Sequence, residues 1–501
     1  MGIIARQGIK GSIVTFIGVG IGAVIKLFIL TKLLDASQIG LIETISKIGM
    51  LISPFFILGA ASVVQKYFVN FKNDEHDGGL IASYTYLMVA SIVVSSIVYI
   101  VFKENILAYF DKVPELEDYI YLPLLVAIAY VLFNFLRVLS LLNLRITVPN
   151  IFRGVFDRLG ILVCLVIYGL AQYGYWNIID FKEFVYLYVF AFYLLPLAGL
   201  IVYILKVIKP KIHRPSKFTM ETIFRATMGY NLFLILSGVS DIIVQAIDVN
   251  MISSSLGLSY SGVYVIAFYI GAVIDVPKRN IVNITFPILN DAYHANDMKQ
   301  VAMLYKKTAL NQFLVGLFMF SVIWFSIDEI FKIIPNGEVY KSGKLVVLYI
   351  GIAKLIDQLT GVNKEIIDIS KYYKYNLFIG LILSISVIVF NLYFIHHTNP
   401  FIGGINGIAF ATLLAMLISN IYALFIVWKK EGILPFSWNL LKCLIPFLLL
   451  IPFAYYNPFS HPILSIIYMS LLCGIVFLAS TYYFRISEDF ILILQRFIKK
   501  K

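Results

Sequence analysis

The chain has 501 residues, 60% of them hydrophobic and only 14% charged, with a mean hydropathy of +0.89. Soluble domains carry about a quarter charged residues, so this composition excludes a soluble enzyme and requires apolar surface to face lipid. The net charge of +12 does not point to nucleic acid, because Lys and Arg sit in short stretches between apolar runs, where the positive-inside rule puts them.

A crossing helix needs about 20 mostly apolar residues to traverse a core of ~30 Å. Fourteen segments qualify, at 11–34, 40–65, 79–102, 118–143, 154–173, 183–206, 226–252, 261–285, 308–327, 342–361, 375–396, 404–428, 439–456 and 462–484. The first is too long for a signal-peptide core and lacks a small-residue cleavage site, so it reads as an uncleaved span. The expected fold class is an all-α polytopic membrane protein with about 14 transmembrane helices. With the N-terminus inside, about 29 of the 40 basic residues fall in inner stretches, among them Lys278, Arg279 and Lys364, and about six in outer ones. That asymmetry predicts both termini on the inner, cytoplasmic side.

The longest basic connection, Lys206 to Arg225, contains Pro210 and Pro215. It divides the chain into an N-terminal six-helix bundle (1–205), a cytoplasmic linker (206–225), a C-terminal six-helix bundle (226–428) and two extra helices with a basic tail (429–501). The bundles share a motif. Leu34-Asp-Ala-Ser37-Gln-Ile-Gly40 joins spans one and two, and Leu256-Gly-Leu-Ser259-Tyr-Ser-Gly262 joins spans seven and eight. Pro54 and Pro277 follow the matching glycines at similar spacing. Six spans per half predict pseudo-symmetry about an axis along the membrane normal, the raw material of alternating access.

The stretch at 30–68 (LTKLLDASQIGLIETISKIGMLISPFFILGAASVVQKYF), the repeated glycine turn, and Gly404-Ile-Asn-Gly407-Ile-Ala409-Phe-Ala411-Thr412 resemble the polysaccharide-biosynthesis, O-antigen flippase type of the multidrug/oligosaccharidyl-lipid/polysaccharide exporter superfamily. Twelve core spans plus two extra fit as well. The resemblance implies a flippase that carries a polyprenyl-diphosphate-linked oligosaccharide to the outer leaflet of a bacterial cytoplasmic membrane. It implies membrane lipid and the polysaccharide polymerase machinery as partners, and the internal duplication lets a monomer suffice. A multidrug or cation antiporter of the same superfamily and a lipid II flippase are the alternatives. A membrane glycosyltransferase or polymerase would need a sizeable polar loop with catalytic carboxylates or His; the largest outer loop, about 103–117, is acidic and has no His.

A charge inside the bilayer is costly unless it faces a partner or a cavity, so such charges are the site candidates. Lys26 in span one and Arg137 in span four have no acid within a helical turn of their own helix. With Arg158 and Arg225 at the mouth, they are expected to receive the diphosphate, since guanidinium groups bind phosphate oxygens in pairs. Asp241 and Asp248, seven apart on span seven, are expected to share a face and to couple transport to H+ or Na+. Structural pairing is the competing expectation: by spacing, Glu43 with Lys47, Arg153 with Asp157, and Lys354 with Asp357. Cys164, Cys443 and Cys473 read as small packing residues. No Walker A motif, metal-ligand spacing or cofactor motif is present.

Overall fold

The computed structural model describes residues 18–57, 77–143, 145, 147–174, 179–210, 238–240, 242–454 and 458–492. Among these the secondary structure is helical throughout, without a strand. Ten helices are each long and apolar enough to cross a membrane, and they coincide with expected spans two to six, eight, nine, eleven, twelve and fourteen. Span ten is a bent pair, Gly337–Leu359 and Asn363–Ile369, with 48° between the arms. Span thirteen is the shorter apolar helix Trp438–Phe453. The described parts of spans one and seven are helical at 18–33 and 242–256. All fourteen expected segments therefore carry helix, and the chain is a multi-pass all-α membrane protein. Span three shows why it needs lipid: Val93, Val94, Ile97 and Val98 are 50–60% exposed on a helix with no polar face to offer water.

The chain divides into two compact units, Met1–Gly262 and Val263–Lys501. In the first, span two (Ala36–Phe56) begins at a cap made by the repeat turn itself. Gln38 N–H donates to Asp35 Oδ1 at 2.8 Å, and Asp35 N–H donates to Gln38 Oε1 at 3.1 Å, so two amides left over at the helix start are satisfied reciprocally. Pro54 lies inside this helix and leaves the carbonyl of Met50 without its usual N–H partner. The Ser53 hydroxyl fills the gap at 2.8 Å.

The two repeat turns meet. A Cβ on Gly40 would lie 2.0 Å from the carbonyl oxygen of Leu258, and a Cβ on Gly262 would lie 1.9 Å from that of Ala36. Each glycine thus seats the backbone of the other turn, an approach that any side chain forbids. Just beyond, Thr44 and Ser253 share a buried hydroxyl–hydroxyl bond of 2.6 Å, and Lys112 donates to the carbonyl of Ser255 at 2.5 Å.

Among the described residues of this unit four π-helical turns interrupt helices, at Ile25–Ile29, Phe152–Phe156, Phe190–Leu194 and Ile204–Ile208. Such turns are rare and concentrate at functional sites.

The second unit is built on long helices. Leu258–His294 runs through a 3-10 turn at Val273–Asp275, and Met298–Phe325 follows it after an Asp297 cap whose side chain accepts from Gln300 N–H at 3.0 Å. Spans eleven and twelve pack where Gly407 lies against the Phe394 carbonyl, 2.6 Å from an added Cβ. Spans thirteen and fourteen seal onto span nine through Phe320–Phe447 and Phe318–Phe477 ring contacts, with Cys443 and Cys473 fully buried in the same core. The cysteines are free and act as packing residues there. Past Arg485, in left-handed conformation at φ 49°, the chain turns back. Ser487 and Asp489 then bond Asn311 of span nine at 2.7 and 2.9 Å.

The expected helix boundaries hold less well at span eight. Lys278 and Arg279, counted with the inner basic stretches, lie within the helix, as the expected span 261–285 also has them, and the helix runs on to His294. Pro277 sits in the first turn of the segment that restarts after the 3-10 turn, where a missing N–H costs nothing, so the proline continues the helix and does not end it.

Gly40→Ala and Gly262→Ala are each expected to destabilise the protein by about 1–3 kcal/mol, the usual cost of overpacking. Gly20→Ala and Gly474→Ala, with open space around the added carbon, are expected to be neutral. Melting temperatures of the four purified variants in one detergent check this.

Candidate functional site

The intramembrane charges of the first unit gather in two neighbouring groups. In the first, Lys26 rides on the π turn of span one, and its Nζ lies 2.6 Å from Glu43 Oε1 of span two. Both side chains are largely shielded, 26% and 14% exposed. Lys47, one turn beyond Glu43, feels the charges of Glu43, Lys26 and the buried Asp248. Glu43 therefore joins an inter-helical pair with Lys26, and the expected Glu43–Lys47 ion pair on one helix is not the contact formed. Attraction at 2.6 Å between two shielded groups outweighs an i,i+4 contact that also has to bend long side chains together.

The second group lies on spans four and five. Arg137 is exposed on the surface of span four and feels the like charge of Arg153. Among the described residues no acid pairs with it. Arg153 sits on the π turn Phe152–Phe156 and stacks over Tyr130 and Phe133, 4.6 and 5.4 Å from the ring centroids. It lines a small cleft with Ala129, Phe192, Tyr193 and Pro196. Cation–π contacts are worth more once desolvated, and they take the place of the expected Arg153–Asp157 pair. Asp157, 2% exposed, accepts instead from the Arg158 main-chain N–H at 2.7 Å. The Arg158 guanidinium folds back onto the Gly154 carbonyl, over Gly18 of span one, where a Cβ would lie 2.6 Å from its Nη1.

Tyr188 interacts electrostatically with Glu43 and Asp157, and Tyr193 with Glu43 and Arg153. Tyr193 belongs to the third π turn. Three of the four π turns thus carry a residue of this site: Lys26, Arg153 and Tyr193. Each inserted residue re-aims the side chains that follow it, which no heptad-like reading of an apolar sequence reveals.

Among the described residues the site holds five cations (Lys26, Lys47, Arg137, Arg153, Arg158) and three acids (Glu43, Asp157, Asp248). The surplus is positive. Arg225 and Asp241 lie outside the described residues. The residues brought together are thus Lys26 and Asp248, which both act on Lys47, and Arg137 with Arg153, while Arg153 and Arg158 both act on Asp157.

A further cluster lies in the second unit around Asp357, a charge that sequence pairs with Lys354 and not with Lys278 or Lys364. Lys278 of span eight bonds the Asp357 carboxylate, and donates to the Asp357 main-chain oxygen at 3.3 Å. Lys364 lies 3.6 Å from the other carboxylate oxygen. Asp357 thus takes its ion pairs from other elements, and the expected Lys354–Asp357 pair yields to them. The sequence signal was present: a lysine directly after a proline that occupies a helix's first turn.

No family model matches the sequence, and no curated protein matches it. Solved structures do. A lipid II flippase, MurJ, in an inward closed conformation superposes with a TM-score of 0.69 at 15% identity, over 95% of this chain and 98% of that one. A multidrug-resistance MATE family transporter of the MOP superfamily matches in its inward-facing conformation with a TM-score of 0.54 at 14% identity, over 84% and 94% of the two chains. Its outward-facing conformation matches at 0.52 and 13% identity, over 86% and 97%. The chain has the fold of these exporters. Their identities are too low to transfer a cargo. The likeness is one of fold.

Glu43→Gln is expected to cost about 3 kcal/mol of stability, because it strands the Lys26 charge. The double variant Lys26→Met, Glu43→Leu is expected to recover most of that loss. Thermal unfolding of the single and double variants measures it.

Proposed function

We propose that the chain is a flippase that moves a lipid-diphosphate-linked oligosaccharide across a bacterial cytoplasmic membrane, N- and C-termini inside, for surface polysaccharide assembly. The observation that supports this most is the positive surplus among the intramembrane charges of the first unit. Cationic drugs would be repelled by such a surface, whereas a diphosphate supplies the missing counter-charge. Arg137 has no acidic partner among the described residues, and its planar fork suits phosphate oxygens. Lys26, Arg158 and Arg225 complete the proposed headgroup site. Lys26 would exchange Glu43 for phosphate as the cargo arrives. Glycine seats that admit close backbone contact between the repeat turns would serve an end of the pathway that opens and closes during alternating access. Asp248, buried and facing Lys47, is with Asp241 the proposed site where H+ or Na+ movement is coupled. No resident cofactor is required, and a monomer holds both repeats.

A lipid II flippase is the second reading. It is favoured by the superposition on MurJ, which extends over 98% of that chain and so includes spans beyond a twelve-helix core.

Deletion in the native host separates the readings. Loss of surface polysaccharide with build-up of polyprenyl-linked oligosaccharide supports the first; build-up of lipid II with cell lysis supports the second. Unchanged glycans with raised drug susceptibility would overturn both. Complementation with Arg137→Gln is expected to lower export by about tenfold or more at normal protein level, since a charge-assisted hydrogen bond contributes about 1.5–3 kcal/mol. The Asp241→Asn, Asp248→Asn double variant is expected to abolish the response of export to the ion gradient, read as glycan flux with and without an ionophore.

A further inference from the structure

The bend in span ten is held by charge. Its first arm ends at Leu359 and its second begins at Asn363, with Gly361 between them in left-handed conformation at φ 65°. On the first arm, Asp357 is held from two directions. Lys278 reaches it from span eight, and Lys364 reaches back from the second arm at 3.6 Å. The carboxylate thus ties the two arms and a neighbouring helix to one point. Thr360 steadies the break with its one hydroxyl proton, shared between the Asp357 carbonyl and Asn420 Oδ1, each at 3.0 Å.

The arrangement has features of an anion site already filled by a side chain. Two ammonium groups converge on a single carboxylate, with Lys354 also in electrostatic range. Glu365 and Asp275 offset part of this charge from the Lys278 side, and Arg279 pairs with Asp275 at 3.0 Å. Beside Lys364, Asn363 spends its Oδ1 on the Lys364 N–H at 2.7 Å. Its Nδ2, on a residue 2% exposed, has no partner. A buried amide donor left open on the residue that precedes Lys364 is suited to an acceptor-rich anion. The site is also reachable: the Lys364 side chain is 36% exposed, against 14% for Lys278 and 11% for Asp357.

We propose that Lys278, Lys364 and Asn363 form a second diphosphate-binding site, that the Asp357 carboxylate occupies it at rest, and that a diphosphate displacing Asp357 frees the bend in span ten. The proposal rests on the reading of the chain as a carrier of lipid diphosphates. It adds a device by which the cargo's charged end loosens the second unit. A diphosphate offers more acceptor oxygens and more charge than one carboxylate, so it outcompetes Asp357 where it is locally concentrated, and Asp357 reclaims the lysines once it leaves.

Amide hydrogen exchange of the full chain in detergent, followed by mass spectrometry over residues 355–370, tests this with inorganic pyrophosphate as probe. Pyrophosphate is expected to speed exchange across the break, and chloride at matched ionic strength is not. Asp357→Asn is expected to exchange fast without pyrophosphate and to lose the response; Asp357→Glu is expected to keep it. If Asp357→Asn cannot be purified folded, Lys364→Gln is expected to show a weakened response with the Lys278–Asp357 pair intact. Unchanged exchange in Asp357→Asn, no response of the wild type to pyrophosphate, or an equal response to chloride would each overturn the proposal. Cellular glycan export reports separately on the flippase reading: export that persists with no exchange response refutes the lock alone, and an exchange response in a chain that exports no lipid-linked glycan refutes the flippase alone.

Discussion

Charge in a low-dielectric interior is the constraint on which the rest of this structure depends. A lysine or arginine among apolar helices must meet an acid, a ring face, a carbonyl or a water-filled space. The protein uses each solution in turn. Lys26 takes Glu43, Arg153 takes two aromatic rings, Arg158 takes the carbonyl of Gly154, and two lysines share Asp357. Arg137 lies exposed on span four, where it feels the like charge of Arg153, with no acid paired to it among the described residues. Spans are drawn together at these points because an unpaired charge costs more than ordering the partner.

Much of the fold was legible from one-dimensional pattern. Apolar run length located all fourteen helical segments, because a crossing helix has to satisfy its backbone internally over a fixed thickness. The bend in span ten was less visible: the apolar run 342–361 ends near the break, and the second arm was read as connection. Span eight runs past its expected end at 285 to His294, through Pro287 inside the helix, a residue type that reads as a stop in most apolar sequence.

The candidate site was legible in membership and illegible in pairing. Sequence identified Lys26, Arg137, Arg158 and Asp248 as charges that need an explanation. It assigned partners by spacing along a single helix, but at Glu43 and Asp357 the ion pair formed came from another helix, and Asp157 accepts instead from the main-chain N–H of the next residue. Contacts between helices depend on rotation about each axis, and π turns alter that rotation by one inserted residue. With π turns at Lys26, Arg153 and Tyr193, the faces inferred from a 3.6-residue period were misaligned where the site is built.

The reciprocal seating of Gly40 and Gly262 carries a consequence for how such a chain can drift. Over most of a lipid-facing helix one apolar residue substitutes for another at little cost. At these two turns the tolerance vanishes, and it vanishes jointly: a larger residue in either turn pushes the opposite backbone out of register, and no change of side chain across the contact can make room, since the obstacle is a main-chain oxygen. The duplicated turn is thus a keyed joint whose two parts constrain each other, and so its short pattern stands out from a background of nearly interchangeable apolar letters.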